Sequence, residues 1–235
     1  IEWDLNGFNL SDEEFSENFS DIAKEFKMTW KLAFSNYLPK VAIFVSKEDH
    51  CLADLLYRFK SQELKCQIPL VISNHPDVKE VVEFYNIPFQ EIPIDIGNKL
   101  KSEQKAIKIL KENKVDLVVL ARYMQILSAD FIRNLGSPII NIHHSFLPAF
   151  IGAKPYHQAY GRGVKIIGAT SHYVSPDLDS GPIIEQDIVR ISHSDTIAYL
   201  VRKGKDIEKI VLSRAVHWHL ENRILVYGNK TVVFD

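Results

Sequence analysis

The chain has 235 residues, of which 46% are hydrophobic and 25% are charged, and a formal net charge of −2. This composition is typical of a soluble globular protein, and the small net charge gives no electrostatic reason to expect nucleic acid or a membrane surface as a partner. No apolar run reaches the ~20 residues needed to cross a bilayer. The first residues carry no charged-then-apolar signal pattern, so we expect a cytoplasmic protein.

The two cysteines, Cys51 and Cys66, lack the CxxC spacing of a zinc site. So few cysteines do not suggest a disulfide framework either. We interpret both as reduced core residues, in agreement with a cytoplasmic location.

Residues 1–39 form a small predicted unit of two strands and one helix. Residues 1–5 and 30–34 are the predicted strands. Between them, a Ser-Asp-Glu-Glu stretch marks a helix N-terminus, and phenylalanines then recur at helical spacing. Two strands and one helix bury little apolar surface alone, so we expect this piece to pack against the rest of the chain, another chain or a preceding segment. Residues 36–40 are the predicted linker.

From residue 40 the pattern changes to alternating strands and helices. Short continuous apolar runs of β-branched residues are typical of buried parallel strands. The predicted strands are 41–45, 66–73, 89–92, 115–120 and 138–142, and the helices between them are 46–64, 77–85, 102–113 and a short one capped by Ser128. Helices between such strands imply right-handed crossovers and therefore an open α/β sheet.

After Pro148 the pattern changes again. The predicted elements are a helix over 156–161, strands over 164–173 and 182–191, a helix from Ser194 to about 221, and a hairpin of 224–226 and 231–234. The first of these strands is expected to be interrupted at Gly168. Since a loop but no helix separates the two strands, we expect them to be an antiparallel pair added to the sheet.

Polar residues follow the strand predicted over 138–142. In an open α/β sheet, ligands bind beyond the carboxyl ends of the strands. Asn141 and His143 point to the same side of an extended chain, whereas His144 points the other way and is interpreted as structural. Together with Asp179 from a later loop, Asn141 and His143 supply a donor, an acid or base, and a carboxylate. Such a set suits a reaction at a carbonyl group.

Each of these residues also has a non-catalytic interpretation. Asn141 can satisfy loop backbone groups, and the two adjacent histidines can belong to an ordinary turn. Asp179, which precedes Ser-Gly-Pro, is a typical turn residue. Arg122 and Tyr123 follow another strand and are interpreted as a solvated rim pair rather than as catalytic residues.

Three other kinds of site are not favoured by the sequence. A zinc site from His143, His144 and His172 would lack tight ligand spacing. The residues after the first strand of the sheet, at 46–50, contain no GxGxxG pattern, which argues against a nicotinamide or P-loop site. The chain also contains no GxSxG, the pattern of an α/β-hydrolase serine.

Two stretches, Asn141-Ile-His-His-Ser-Phe-Leu-Pro148 and Leu178-Asp-Ser-Gly-Pro182, resemble the formyltransferase family that uses 10-formyltetrahydrofolate. Its pattern is Asn-x-His…Leu-Pro followed by Leu-Asp-x-Gly-Pro. The resemblance covers residues 40–235 and implies a formyltransferase-type, Rossmann-like α/β fold, with an open, mostly parallel sheet and antiparallel C-terminal strands. Residues 1–39 resemble the second half of an ACT-type regulatory domain, a partial α+β piece whose first half is absent from this chain.

Within that family the chain is most similar to the hydrolytic branch. Further stretches carry this likeness: Lys47-Glu-Asp-His-Cys-Leu, His144-Ser-Phe-Leu-Pro-Ala-Phe-Ile-Gly-Ala, Pro155-Tyr-His-Gln-Ala-Tyr and Gly168-Ala-Thr-Ser-His-Tyr-Val. The implied reaction is hydrolysis of 10-formyltetrahydrofolate to formate and tetrahydrofolate, which supplies formate for purine biosynthesis and balances one-carbon folate pools. The folate is the substrate, and no cofactor is implied.

The resemblance assigns roles to individual residues. Asp179 handles the proton near the attacking water and N10, His143 stands beside the tetrahedral oxyanion, and Asn141 is its second donor. His172 supports the loop of Asp179. The residues implied to line the pteridine pocket, largely through backbone groups, are Met124, Gln125, Ile126, Leu127, Ser175, Pro176, Asp177 and Leu178.

Two alternatives remain open at this stage. Glycinamide ribonucleotide formyltransferase has the same three residues but must hold a phosphate with a glycine-rich loop. Residues 46–51 contain two acids and no glycine, which favours water as acceptor, although Lys47 and His50 are basic. A folate- or amino-acid-sensing binding protein without turnover is the other alternative. We expect a small-molecule folate partner, no nucleic acid or membrane, and a homo-oligomer of two or more copies.

Overall fold

The computed structural model describes residues 4, 7, 9–95, 97–149 and 155–234. Its contacts divide the chain into two units, Ile1–Tyr37 and Leu38–Asp235. The boundary falls inside the linker predicted at 36–40. The strand predicted over 1–5 lies outside the described residues, apart from Asp4.

The first unit contains one helix, α1 (Asp12–Glu25), within its described residues. Ser11 caps it: the Ser11 hydroxyl accepts from the backbone N–H of Glu14 at 3.2 Å, and the Glu14 carboxylate accepts from the Ser11 N–H at 2.8 Å. This reciprocal pair is a capping box, which fixes the start of the helix. The strand predicted over 30–34 is wrong. No described residue pairs with that stretch, and a strand needs a hydrogen-bonding neighbour to persist.

The second unit is built on a seven-stranded sheet with the order β3-β2-β1-β4-β5-β6-β7. The strands are β1 (Lys40–Val45), β2 (Gln67–Ser73), β3 (Phe89–Glu91), β4 (Leu117–Leu120), β5 (Ile139–His143), β6 (Ile166–Tyr173) and β7 (Ile183–Arg190). Strands β1 to β5 pair in parallel, while β6 runs antiparallel to both β5 and β7. The predicted open, mostly parallel sheet with antiparallel later strands is therefore confirmed.

Helices cover both faces of the sheet. Residues of a strand alternate between the two sides, so neighbouring residues pack against different helices. They are α2 (His50–Lys60), α3 (Lys79–Phe84), α4 (Lys99–Glu112), α5 (Ala129–Leu135), α6 (Pro155–Arg162) and α7 (Ile197–Leu220). Val41, Ile43 and Val45 of β1 share a core with α2 and α7. Ala42 and Phe44 share the opposite core with α4 and α5. A strand buried on both faces must be apolar at every position, which explains the continuous run at 41–45.

Two expectations about the start of a helix and the course of a strand are corrected by the structure. Helix α2 begins at His50, so residues 46–49 form a loop at the carboxyl end of β1. Strand β6 continues through Gly168, where an interruption was expected. A Cβ at Gly168 would lie 2.5 Å from the carbonyl oxygen of Asp187 in β7, so the glycine allows close approach of the two backbones instead of breaking the strand.

The predicted closing hairpin is present as β8 (Ile224–Tyr227) and β9 (Lys230–Val233), which form a separate two-stranded sheet. Gly228 occupies its turn with φ +57°, a conformation that favours glycine. Among the described helices, none combines the length and apolar composition needed to span a bilayer. Cys51 and Cys66 are both buried and free.

Candidate active site

The pairing of β5 with β6 places the first candidate residues side by side. Asn141 stands opposite His172 in the register, and His143 stands opposite Thr170. Nδ1 of His172 lies 2.9 Å from the carbonyl oxygen of Tyr173, which can only accept, so this nitrogen carries a proton. Nε2 of His172 lies 3.2 Å from the Asn141 amide nitrogen and accepts from it when the ring is neutral. His172 therefore orients the Asn141 amide.

Asp179 reaches the same place from the loop between β6 and β7. Its backbone is left-handed, with φ +53°, a region that aspartate tolerates better than bulky residues. Gly181, two residues later, lies so close to Tyr173 that a Cβ would overlap the Tyr173 carbonyl oxygen. The loop thus turns tightly back over the end of β6, and this turn carries the carboxylate to β5.

The carboxylate of Asp179 lies between two imidazoles. Its Oδ2 is 3.3 Å from Nδ1 of His143, and its Oδ1 is 3.6 Å from Nε2 of His172. The adjacent imidazole of His143, and secondly that of His172, holds the pKa of the Asp179 carboxyl well below its usual range, although burial opposes the shift. Asp179 is therefore ionised at neutral pH, and this favours a proton on the Nδ1 that faces it.

The second nitrogen of His143 faces away from Asp179. Nε2 is buried and has no hydrogen-bond partner within the described part of the chain. Buried imidazole nitrogens are normally paired, so such an atom beside an ionised carboxylate suits contact with a reacting oxygen. When the ring is protonated, both nitrogens donate, one to Asp179 and the other to that oxygen.

His144 belongs to the other face. Its ring centroid is 5.4 Å from that of His143 and 6.2 Å from that of Tyr156 on α6. Burial, and then the positive charge of Arg122, lowers the pKa of His144 to about 4. This imidazole is therefore neutral at pH 7.

The stretches predicted to line a pocket carry exposed apolar side chains. Met124, Ile126 and Leu178 are 56%, 60% and 58% exposed. Leu127 is different, because its side chain is buried in the core with Phe131, so only its backbone can face a ligand. Of the remaining predicted residues, Gln125 and Ser175 are half-buried, and Pro176 and Asp177 are exposed.

The interpretation of Arg122 and Tyr123 as a solvated rim pair is wrong. Tyr123 is buried, and its ring packs edge-on against Phe44 with centroids 5.2 Å apart. The Arg122 side chain is 13% exposed, and its Nε lies 3.4 Å from a carboxylate oxygen of Glu208 on α7. Both side chains are directed into the protein by neighbours from other elements, Phe44 of β1 and Glu208 of α7. The hydrophobic periodicity of residues 121–125 alone does not predict these contacts.

Glu208 is a buried acid that the sequence interpretation did not single out. It accepts from Nε2 of His50 at 2.7 Å and from the Tyr156 hydroxyl at 2.5 Å. Burial would raise its pKa, but the His50 hydrogen bond and the charge of Arg122 prevail and lower it. Helical spacing could have predicted its burial, since Glu208 lies four residues from both Gly204 and Leu212 on the buried side of α7.

Metal binding is not favoured by the donor sets present. Among the described residues, the side chains close enough to share an ion are His50, Cys51 and Glu208, not the three histidines considered from the sequence. Arg122 already places a positive charge beside Glu208. Burial, and next the nearby Glu208 charge, raises the pKa of the Cys51 thiol well above its usual range, so this thiol is protonated.

Fold and site define a class of protein: an open-sheet α/β protein in which an asparagine, a histidine and an aspartate meet at the end of β5. A family model described as "Formyl transferase" matches residues 39–216. The formyltetrahydrofolate deformylase of Synechocystis sp. is 55% identical over 234 residues, which cover 100% of this chain and 82% of that protein. That of Bacillus subtilis is 51% identical over 235 residues, which cover 100% of this chain and 78% of its own.

Solved structures give the same result. A formyltetrahydrofolate deformylase from Pseudomonas syringae matches with a TM-score of 0.92 and 51% identity, covering 100% of this chain and 76% of that one. Glycinamide ribonucleotide transformylase 1 from Symbiobacterium toebii matches with a TM-score of 0.80 and 26% identity, covering 88% and 99%. The chain belongs to the formyl transferase family and, within it, to the formyltetrahydrofolate deformylases.

Proposed function

We propose that this chain hydrolyses 10-formyltetrahydrofolate to formate and tetrahydrofolate. The observation that carries the proposal is the contact between Nδ1 of His143 and the ionised carboxylate of Asp179, in a chain about half identical to proteins named formyltetrahydrofolate deformylase. A glycinamide ribonucleotide transformylase activity is less supported, since the solved structures named for that activity are 26% to 34% identical.

The chemistry needs a nucleophile, an oxyanion site and a route for one proton. Water attacks the formyl carbon, and the carbonyl oxygen becomes negative in the tetrahedral intermediate. Nε2 of protonated His143 and the amide of Asn141 donate to that oxygen. Asp179 receives the proton that water loses, and the same proton passes to N10 as the C–N10 bond breaks. The products are then tetrahydrofolate and formic acid, which ionises to formate and releases the second proton of the water molecule.

The folate is proposed to lie over the exposed apolar side chains beside this group. Its aminobenzoyl ring is flat and apolar, which suits contact with Met124, Ile126 and Leu178, while the polar edge of its pteridine suits backbone groups. Gln125, Leu127, Ser175, Pro176 and Asp177 are proposed to contribute mainly backbone groups. His172 is proposed to act indirectly, through the positions of Asn141 and Asp179.

Several further assignments belong to the proposal. The reaction uses the folate as substrate without a separate cofactor, supplies formate for purine biosynthesis, and balances one-carbon folate pools. A cytoplasmic location agrees with two free buried cysteines. The first unit is proposed to be the C-terminal part of an ACT-like domain. Its exposed Ile22, Phe26 and Met28 suit association of two or more copies.

The test is to incubate purified protein with 10-formyltetrahydrofolate, with and without glycinamide ribonucleotide, and to measure formate. We expect formate release at the same rate in both mixtures. Strict dependence on the amine, with formate absent from the amine-free mixture, would contradict hydrolysis and favour transfer.

A further inference from the structure

Two buried residues, Tyr156 and Glu208, and two half-buried ones, His50 and Arg122, form an ionic group that we call the Glu208 cluster. Glu208 is 1% exposed and contacts the other three. Removing such a group from water is unfavourable unless its charges are paired, so the arrangement is closely constrained. The hydrolytic roles proposed for the active site use none of its members.

The cluster lies behind the candidate active site. Ile140 and Ile142 of β5 belong to the core that α7 shares, and α7 carries Glu208. Ile139, Asn141 and His143 alternate with them and therefore face the other side of β5, where Ile139 joins the core that contains Leu127. His144 connects the two sides, since its ring neighbours both His143 and Tyr156.

Buried nitrogens without a hydrogen-bond partner are concentrated here. Throughout the described ranges, the buried side-chain nitrogen and oxygen atoms that lack a hydrogen-bond partner belong to His50, Arg122 and His143. They are Nδ1 of His50, Nε and Nη1 of Arg122, and Nε2 of His143. Buried polar atoms of this kind are normally satisfied by water. The region is thus suited to hold water among the side chains of the cluster.

We propose that the Glu208 cluster determines the acceptor of the reaction, by admitting water and excluding amines. This inference rests on the proposed function. An amine acceptor must bring its nitrogen to the formyl carbon and place its substituents on the side away from the folate, where the cluster lies. Because Glu208 already pairs with Arg122, the cluster also offers no free carboxylate to hold an amine that arrives protonated. Water is neutral and small, and it meets neither obstacle.

The reaction that the cluster would suppress is balanced without any further reactant. The amine nitrogen attacks the formyl carbon, a C–N bond forms, and the C–N10 bond breaks. The amine loses one proton and N10 gains one, so the products are an N-formyl amine and tetrahydrofolate. No oxidation or reduction occurs, and the amine simply replaces water.

The test compares products in the presence of hydroxylamine or glycinamide. Arg122→Gly removes the guanidinium at a position with φ +62°, which glycine adopts without strain. The double variant R122G/E208Q removes both charges, so that no buried charge is left unpaired. Each protein is mixed with 10-formyltetrahydrofolate and amine, and formate and N-formyl product are quantified by mass spectrometry. We expect the ratio of N-formyl product to formate to rise at least about tenfold over wild type.

The matched control is Lys114→Gly, since Lys114 also has a positive φ, of +54°, but lies in an exposed turn. Its product ratio is expected to equal that of wild type. An unchanged ratio in a folded R122G/E208Q protein that still consumes the folate would overturn the inference. So would a folded variant that binds folate and yields neither product, because the cluster would then serve hydrolysis itself. A wild-type protein that releases no formate in amine-free buffer would overturn the proposed function instead.

Discussion

Oδ2 of Asp179 lies 3.3 Å from Nδ1 of His143, although one residue belongs to a loop after β6 and the other ends β5. The contact fixes which ring nitrogen faces the carboxylate and leaves Nε2 without a hydrogen-bond partner among the described residues. In the proposed reaction it also keeps a negative charge beside the protonated imidazole. The proposed reaction therefore draws on two motifs that are separated in the sequence.

Replacing His143 by alanine should stop catalysis without unfolding the protein. Without the imidazole, the oxyanion loses its charged donor and Asp179 loses its partner. We expect His143→Ala to lower kcat about a hundredfold or more, with folate binding retained. Steady-state formate release and a folate titration measure the two quantities. His193→Ala, at an exposed position before α7, serves as the control and should keep wild-type kcat. Near wild-type turnover by His143→Ala would contradict the proposed site.

The tight turn after Asp179 should be needed for activity. A Cβ at Gly181 would overlap the carbonyl oxygen of Tyr173, so Gly181→Ala must shift the loop that carries Asp179. Since misplacement of a catalytic group by about 1 Å can lower the rate about a hundredfold, we expect a loss of that order in kcat. Gly97→Ala is the matched control, because a Cβ there meets no atom within 4 Å. Equal kcat values for the two variants would show that the loop can adjust.

The pH dependence of the unfolding free energy should show that His144 is buried in its neutral form. Its folded-state pKa of about 4 lies below the value of ~6.5 for an unfolded chain. The folded state therefore binds the proton less tightly, and stability falls as pH drops through ~6.5 until it reaches about 4. We expect the unfolding free energy of His144→Gln, from urea titrations, to fall less steeply than that of wild type across this interval. An identical slope in both proteins would contradict a buried neutral His144.

The face of the sheet that packs on α4 and α5 should depend on Phe44. This side chain is 1% exposed and contacts the rings of Tyr123 and Phe131 edge-on. We expect Phe44→Ala to lower the free energy of unfolding by about 3–5 kcal/mol, because it removes buried contacts and leaves a cavity. Phe84→Ala, at a position that is 80% exposed, should change it by less than about 0.5 kcal/mol. Similar losses in both variants would contradict the assigned core.

The strands of the second unit could be predicted because each has a recognisable pattern of apolar residues in the sequence. Residues 41–45 and 117–120 are continuously apolar since helices cover both faces of the sheet. The stretch at 30–34 shows the limit of this argument. A strand also requires a hydrogen-bonded neighbouring strand, and the sequence of one segment does not show whether such a neighbour exists. Gly168 shows another limit: a glycine that breaks one strand permits close packing in another, and only the position of Asp187 decides between them.

The site was predictable where motif and alternation agree. Asn141 and His143 share a face, and Asp179 contacts His143. The sequence interpretation missed the Glu208 cluster, because its four members come from α2, the loop after β4, α6 and α7. No local pattern joins residues so distant along the chain. The available indication was that Glu208 lies on the buried side of α7, and this position does not predict which residues it contacts.

The most direct test of the central claim is formate release by wild type and Asp179→Asn at saturating 10-formyltetrahydrofolate, without any amine. Asparagine keeps the shape of the side chain but cannot take the proton from water. We predict steady formate release by wild type, and a rate lower by about a hundredfold or more in a folded Asp179→Asn that still binds folate. Formate release by Asp179→Asn at the wild-type rate would contradict the account.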